Sequence, residues 1–181
     1  AIFIPVILTM VSIAVVWHFM FQSTGILSNL FIDLFGTKVK WLTSTKIAPY
    51  SMILVNVWKM TGYYMIIFIA GLLNVPNTFY EAARVDGANY FERLIYITLP
   101  QMKNTFILVF VSGVIFSFAA FPQQYVMTEG GPGRSTEVLA LLIYKQAFEF
   151  TKFGYSSSIS VAFFASLLLF SSVIKIFSPL S

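Results

Sequence analysis

The sequence lacks cysteine and is poor in charge, and each shortage excludes a class of function. Without cysteine the chain can form neither a disulfide nor a cysteine-ligated metal centre. Only 10% of its 181 residues are charged, against roughly a quarter in a soluble globular domain. The net charge of +4 is small and scattered along the chain, which argues against a nucleic-acid-binding surface.

The residue sets of common catalytic centres are also missing. The single histidine, His18, lies in an apolar run, so we expect a packing or interface role for it rather than metal binding. No G-x-x-x-x-G-K-[ST] loop is present, so this chain is not expected to bind ATP in the usual way. No acidic residue lies within an apolar run, which argues against an ion-coupled carrier. We also find no nucleophile and base pair for a membrane enzyme, and predict no catalytic or metal-binding residues.

What the chain has is long hydrophobic runs, with 58% hydrophobic residues and 20 phenylalanines. A bilayer core about 30 Å thick needs about 20 apolar residues in a helix. Four runs qualify: Ala1–Phe21, Ile47–Val75, Met102–Phe121 and Tyr155–Phe177. We therefore predict an all-α, polytopic transmembrane helical bundle. Residues 1–181 form a single domain, with spans near 1–21, 48–75, 101–122 and 155–177.

The segments between the runs carry turn and helix signals. Residues 22–47 are expected to form a loop with one short helix, and the stretch TEGGPGRS (128–135) has turn chemistry. Within the second connecting loop, 123–154, an amphipathic spacing predicts a helix over 136–150. Pro49 and Pro100 suit the first turns of the second and third spans.

A charged, glycine-broken stretch separates the second and third runs. Residues 80–100 read YEAARVDGANYFERLIYITLP. Two capping-box patterns occur here, one from Thr78 to Glu81 and one from Asn89 to Glu92. Gly87 suits a left-handed helix C-terminus. The segment is therefore predicted to form two short helices divided at Gly87.

This stretch resembles the EAA loop of bacterial ABC importer membrane subunits. The matching residues are Glu81, Ala82, Ala83, Asp86, Gly87 and Ala88, followed by Leu94, Ile97, Leu99 and Pro100. The resemblance extends over essentially the whole chain. The segments GGPGRST, IYKQAF and FGYSSSIS are similar to those of carbohydrate-type permeases, in particular the MalF/UgpA-like member of the membrane pair.

The resemblance implies a type I importer permease in the inner membrane of a bacterial or archaeal cell. Loop 78–99 would be the cytoplasmic coupling element, and loops 22–47 and 123–154 would be external. The implied partners are a MalG-like second permease, two ATP-binding subunits that carry ATP and Mg, an extracytoplasmic solute-binding protein and a sugar substrate. The chain begins at Ala1, directly in an apolar run, so we expect an N-terminal part to be missing, and the resemblance implies that at least two earlier spans are absent.

The charges of the loops, taken alone, favour the opposite orientation. The side with loop 78–99 carries Arg84, Arg93, Lys103 and Lys175, against six basic residues on the other side. The positive-inside rule would then place loop 78–99 outside the cell. We give the resemblance precedence, because missing N-terminal spans would spoil the count.

The resemblance also implies a location for the substrate path. In the maltose importer the sugar contacts come from the spans before and after the coupling helix, and only Tyr63 and Phe116 keep the maltose-type residue. The location therefore carries over, but maltose specificity does not. Counted from Glu81, the corresponding positions are Lys59, Met60, Tyr63, Gly113, Phe116, Ser117 and Ala120.

Lys59 is a charge inside the second span, and three roles are open for it. It can line a water-filled path and touch substrate, pair with the second permease subunit, or extend its ammonium group toward the membrane surface. The first role would favour an acidic sugar. Two alternative functions also stay open: an ABC permease for a solute other than a sugar, and an ion-coupled carrier.

Overall fold

The computed structural model describes residues 2–118 and 120–177, and this part of the chain is helical with no strand. Ala1 and residues 178–181 of the expected domain lie outside the described residues. Two π-helical turns occur, over Leu94–Thr98 and Lys145–Glu149. In chain order the helices are α1 (Ile4–Ile7), α2 (Met10–Phe21), α3 (Ile26–Phe35), α4 (Ala48–Leu73), α5 (Asn77–Val85), α6 (Tyr90–Arg93), α7 (Leu99–Gln101), α8 (Lys103–Phe118), α9 (Pro122–Thr128), α10 (Leu139–Tyr144) and α11 (Phe153–Phe177).

The expected first span, Ala1–Phe21, is not one helix. Leu8 and Thr9 have extended backbone, and the Thr9 side chain accepts a hydrogen bond from the backbone N–H of Ser12 to begin α2. A threonine at this position favours a new helix start over a continuous helix. Helices α2 and α3 follow each other closely, and together they form one apolar stretch, Met10–Phe35, long enough to cross a membrane. The short helix expected in loop 22–47 is thus α3.

The second and fourth spans agree with the sequence. Helix α4 begins at Ala48 with Pro49 in its first turn and ends at Leu73, two residues before Val75. Helix α11 begins at Phe153, two residues earlier than expected. Both are long and apolar enough to span a bilayer by length and composition, the second over Phe153–Phe170.

The third span is shorter than predicted. Helix α8 has 16 residues, fewer than the roughly 20 that cross a bilayer. The preceding helical stretch, Tyr90–Gln101, meets α8 at a bend of 61°. Among the described residues, α8 is long and apolar enough to cross a membrane only when it is counted together with that stretch. Pro100 therefore lies before the bend, not at the start of the span. Pro100 has no N–H, and its ring crowds the carbonyl four residues earlier. The backbone hydrogen bonds before it therefore span five residues instead of four, which forms the π-helical turn.

The segment after α4 forms the predicted helix pair. Gly87 adopts a φ of +77°, and the N–H groups of Gly87 and Ala88 donate to the carbonyls of Arg84 and Ala83. This pair of hydrogen bonds is a Schellman motif, so the predicted left-handed cap is confirmed. The capping box between Asn89 and Glu92 is also confirmed, with both bonds present.

The capping box predicted from Thr78 to Glu81 is wrong. Helix α5 begins at Asn77, immediately after Pro76, and its first turn has no side-chain cap. Thr78 therefore lies inside the helix. A proline N-cap with an extended ψ of 133° starts the helix two residues too early for Thr78 to cap it.

The core lies where α2, α4 and α9 meet. Ile13, Phe21, Val55 and Met127 are buried there. The helix predicted over 136–150 is found as α10 and the π-helical turn after it, and residues 129–135 form turns. Large apolar side chains stay exposed along α4, α8 and α11, as expected for surfaces that face lipid or other subunits.

Gly62 allows α1 to approach α4 closely. A Cβ at Gly62 would lie 2.6 Å from the Ile2 carbonyl oxygen and 3.0 Å from the Phe3 Cα, whereas a Cβ at Gly154 would meet nothing within 4 Å. Gly62→Ala should therefore destabilise the protein by about 1–3 kcal/mol, the usual cost of overpacking.

Thermal unfolding of the purified full-length protein tests this, with Gly154→Ala as the matched helical control. We expect a lower melting temperature for Gly62→Ala and no loss for the control. Equal melting temperatures would contradict the close contact of α1 with α4.

Candidate functional site

Lys59 holds the broken end of α1. Its Nζ donates to the carbonyl oxygens of Leu8 at 2.8 Å, Pro5 at 3.3 Å and Val6 at 3.5 Å, and its side chain is buried. An ammonium group has three donors, so all of them are engaged. Carbonyls at a helix C-terminus carry partial negative charge, which a cation stabilises. The structure therefore shows a role that the sequence did not predict, and substrate contact by Lys59 stays a prediction.

His18 also makes a contact within the chain. Its Nδ1 donates to the backbone carbonyl of Met127 at 2.9 Å, which joins α2 to α9. This is the packing role expected from its position in an apolar run.

The expected substrate-path residues meet between α4 and α8. A cleft of about 880 Å³ lies between these helices. Met60 lines it from α4, and Gly113 and Ser117 line it from α8. Its wall is mostly apolar, with the polar groups of Asn56 and Tyr64 among the exceptions.

A second cleft of about 170 Å³ adjoins the first, since Asn56 and Met60 line both. Lys59, Phe116 and Ala120 line this smaller cleft. Six of the seven predicted path residues thus line one of the two clefts.

Tyr63, the seventh, contacts the same region through aromatic packing. Its ring lies 5.9 Å from that of Phe116, edge to face. A Cβ at Gly113 would lie 3.2 Å from the Tyr64 hydroxyl, so a glycine at this position makes room for that side chain. Ser117 donates its hydroxyl proton to the Gly113 carbonyl at 2.8 Å and leaves an oxygen free to accept.

The predicted coupling residues form a separate, outward-facing surface. Glu81, Ala82, Asp86 and Gly87 are exposed, and Ala83 and Ala88 are half-buried. Val85, at the end of α5, is 89% exposed. An apolar side chain held in the open beside small alanines is typical of a surface that docks on another protein.

The predicted path residues do not include five polar residues that line the clefts: Asn56, Thr61, Tyr64, Gln123 and Gln124. Asn56 precedes Met60 by four residues, so helical spacing could have placed it on the same face. Gln123 and Gln124 lie on α9, in a segment expected to be an external loop, and no periodic pattern marked them.

A mostly apolar cleft between membrane helices, a smaller cleft beside it and an exposed helix pair agree with a membrane transport subunit. Residues 1–180 match the family of binding-protein-dependent transport system inner membrane components. The chain belongs to this family.

Curated relatives agree with the family assignment. A "Probable ABC transporter permease protein" of Pyrococcus horikoshii is 39% identical over 160 residues, covering 87% of this chain and 55% of the relative. The lactose transport system permease protein of Rhizobium radiobacter is 33% identical over 164 residues, covering 88% of this chain and 55% of the relative. The chain thus spans about half the length of the curated relatives it matches.

A solved structure shows the same fold. It is a bacterial alginate ABC transporter in complex with an alginate pentasaccharide-bound periplasmic protein. The TM-score is 0.79 at 21% identity, and the match covers 97% of this chain and 60% of that one. The predicted fold, that of an ABC importer permease, is therefore confirmed.

Replacing Lys59 should weaken the attachment of α1. Lys59→Met leaves three backbone carbonyls without their donor, and an unsatisfied buried polar group costs about 1–3 kcal/mol. We expect a lower melting temperature for Lys59→Met, a smaller decrease for Lys59→Arg, and no change for Lys46→Met, an exposed lysine just before the same helix.

Uptake assays separate this role from substrate binding. A structural role lowers the uptake of neutral and acidic sugars together. Unchanged stability with selective loss of acidic-sugar uptake would instead show that Lys59 recognises substrate.

Proposed function

We propose that this chain is the membrane-spanning core of a permease subunit in an ATP-driven, binding-protein-dependent importer of a sugar or oligosaccharide. The observation that carries the proposal is the exposed α5, closed by the Schellman motif at Gly87 and followed by the capping box at Asn89. The names of relatives support the sugar class, since they include lactose and xylose/arabinose permeases.

In this proposal α5 is the coupling helix, and it docks on an ATP-binding subunit in the cytoplasm. ATP closes the paired ATP-binding subunits, and their motion pulls on residues 81–88. Because Tyr90–Gln101 meets α8 at a bend of 61°, a movement of the coupling segment tilts α8, the helix that lines the cleft. The spans then rock, and the path near Met60 and Ser117 opens to one side after the other.

The full assembly contains a MalG-like second permease, two ATP-binding subunits and an extracytoplasmic solute-binding protein. This chain catalyses no reaction and binds no cofactor; ATP and Mg bind to the partner subunits. Loop 78–99 faces the cytoplasm, and the GGPG loop faces the binding protein. The membrane is the inner membrane of a bacterial or archaeal cell.

An acidic sugar is a narrower substrate class, and it was predicted on the condition that Lys59 contacts the substrate. Because the ammonium group of Lys59 donates to three backbone carbonyls, the structure lends this narrower substrate class no support from that residue. A solved structure of this fold belongs to a bacterial transporter involved in the import of the acidic polysaccharide alginate, so uptake assays should include acidic sugars beside neutral ones.

Affinity purification of the full-length protein from its native membrane tests the proposal. We expect the ATP-binding subunits and a second permease to accompany the native protein. Glu81→Lys combined with Gly87→Pro should remove the ATP-binding subunits, because the charge is reversed and proline cannot adopt the positive φ of Gly87.

The matched control is Asp33→Lys combined with Gly36→Pro. Gly36 also has a positive φ, +65°, at the end of α3, and both residues are exposed. The control should keep the ATP-binding subunits if α5 alone is the docking helix. Purification of the native protein without any companion would contradict the proposal.

A further inference from the structure

A groove lined by two arginines lies where the helices α5 and α6 meet the end of α4. Its volume is about 450 Å³, and Arg84 of α5 and Arg93 of α6 both line it. Among the residues that the structure describes, no carboxylate lies within 4.0 Å of either guanidinium group, and the ion pair found there joins Arg134 to Glu137. Two cations beside one groove, without a neutralising carboxylate, favour an anion as its occupant.

Both arginines keep donors available for such an anion. A guanidinium group has five N–H donors. The Nε of Arg93 donates to the Asn89 carbonyl at 3.4 Å, which leaves its terminal N–H groups, and Arg84 makes no hydrogen bond within the described ranges. The nearby carboxylate of Glu92 accepts from the Asn89 N–H at 2.7 Å in the capping box. The forked donors of arginine match two oxygens of a phosphate group.

The two arginines come from segments that are held together. The hydroxyls of Tyr80 and Thr98 are hydrogen bonded at 2.9 Å, which joins α5 to the π-helical turn after α6. Thr98 is buried, and its hydroxyl donates to the Arg93 carbonyl at 3.3 Å. The backbones that carry Arg84 and Arg93 are therefore fixed before a ligand arrives, which lowers the entropic cost of binding.

The groove and the proposed docking surface use different faces of α5. Tyr80 and Arg84, four residues apart, share the face toward the groove. Glu81 and Val85 each follow one position later, about 100° around the helix, and neither lines the groove. The groove can therefore hold a ligand while α5 is docked on a partner.

The surroundings of the groove suit the headgroup level of a bilayer. Leu72, at the end of the membrane helix α4, lines it together with Leu94. Tyr90 lines it too, and the neighbouring rings of Phe91 and Tyr96 are largely exposed. Exposed aromatic rings collect at membrane–water interfaces, and basic pockets beside membrane helices bind phosphate headgroups of lipids.

We propose that this groove binds the phosphate group of an acidic phospholipid, with Arg84 and Arg93 as the residues that recognise it. A soluble phosphate shares the charge, but the apolar Leu72 and the exposed Leu73 at the edge of the groove favour a ligand with acyl chains. The lipid would tie the helix pair to the membrane where α5 leaves α4. The inference requires an inner membrane protein, which the family shows, and does not depend on the transported solute.

Thermal unfolding of the complete importer in a neutral detergent tests the site. Phosphatidylglycerol is titrated as the probe, beside phosphatidylcholine with the same acyl chains and glycerol phosphate as the headgroup alone. The variants are Arg84→Gln and Arg93→Gln. The matched control is Lys103→Gln, since Lys103 is an exposed basic residue at the start of α8 and does not line the groove.

We expect phosphatidylglycerol to raise the melting temperature of the native importer, and the other two probes to leave it unchanged. Each arginine variant should need about 5-fold more phosphatidylglycerol for the same increase, the contribution of one basic residue at an anionic lipid. The control should respond like the native protein. Equal stabilisation by glycerol phosphate would overturn the lipid as ligand, and an equal response of all variants would overturn the groove as the site.

Carboxylates of an ATP-binding subunit are the competing partner for the arginines. In that case Arg84→Gln would lose the ATP-binding subunit during purification, while the protein that remains would bind phosphatidylglycerol as the native protein does. This result would overturn the inference. Because no sugar takes part in either measurement, failure of the lipid site leaves the proposed function in place.

A photoactivatable phosphatidylglycerol gives a second reading that needs no substitution. With the reactive group on the headgroup, its cross-links to this chain in the native importer should fall within residues 72–98. An excess of unlabelled phosphatidylglycerol should remove them, and an excess of phosphatidylcholine should not. Cross-links confined to other parts of the chain would overturn the site, even if both arginine variants lose the response to lipid.

Discussion

The attachment of α1 to α4 depends on one buried ammonium group. Within a bilayer, backbone carbonyls that lose their helical partners must find donors elsewhere, and a charge there must find acceptors. Lys59 and the carbonyls of Pro5, Val6 and Leu8 satisfy both requirements at once. The break between α1 and α2 is stable because the lysine is present, and the lysine is tolerated because the break exposes carbonyls.

This arrangement positions the clefts. With α1 fixed to one face of α4 through Lys59 and Gly62, the adjacent face carrying Asn56 and Met60 is directed toward α8 and α9. The apolar wall of the larger cleft and the amides of the smaller one then lie side by side. Meanwhile α5 extends from the other end of α4 with Ala82 and Val85 exposed. One helix therefore connects the surface proposed for docking with the surface proposed for transport.

Local signals predicted much of this structure. The start of α4 next to Pro49, the left-handed Gly87 and the capping box at Asn89 follow from the preferences of single residues. Interactions between distant segments were not predictable in this way. The partners of Lys59 lie more than 50 positions away, and Gln123 anchors to Met52 across 71 positions. The break at Thr9 occurs inside an apolar run, where hydropathy carries no signal for an interruption. The bend before α8 lies beside Pro100, Gln101 and Lys103, residues predicted to lie at the start of the third span.

The orientation of the chain in the membrane is the central claim, and a single labelling experiment tests it most directly. Because these 181 residues contain no cysteine, Asp86→Cys and Arg134→Cys each introduce one thiol into them, at the coupling turn and in the GGPG loop, and any cysteine elsewhere in the full-length protein is replaced by serine. The variants are expressed in the full-length protein without the ATP-binding subunits and treated with a membrane-impermeant maleimide. Our account predicts that Arg134→Cys is labelled from outside in spheroplasts and Asp86→Cys only in inside-out vesicles; labelling of Asp86→Cys from outside would contradict it.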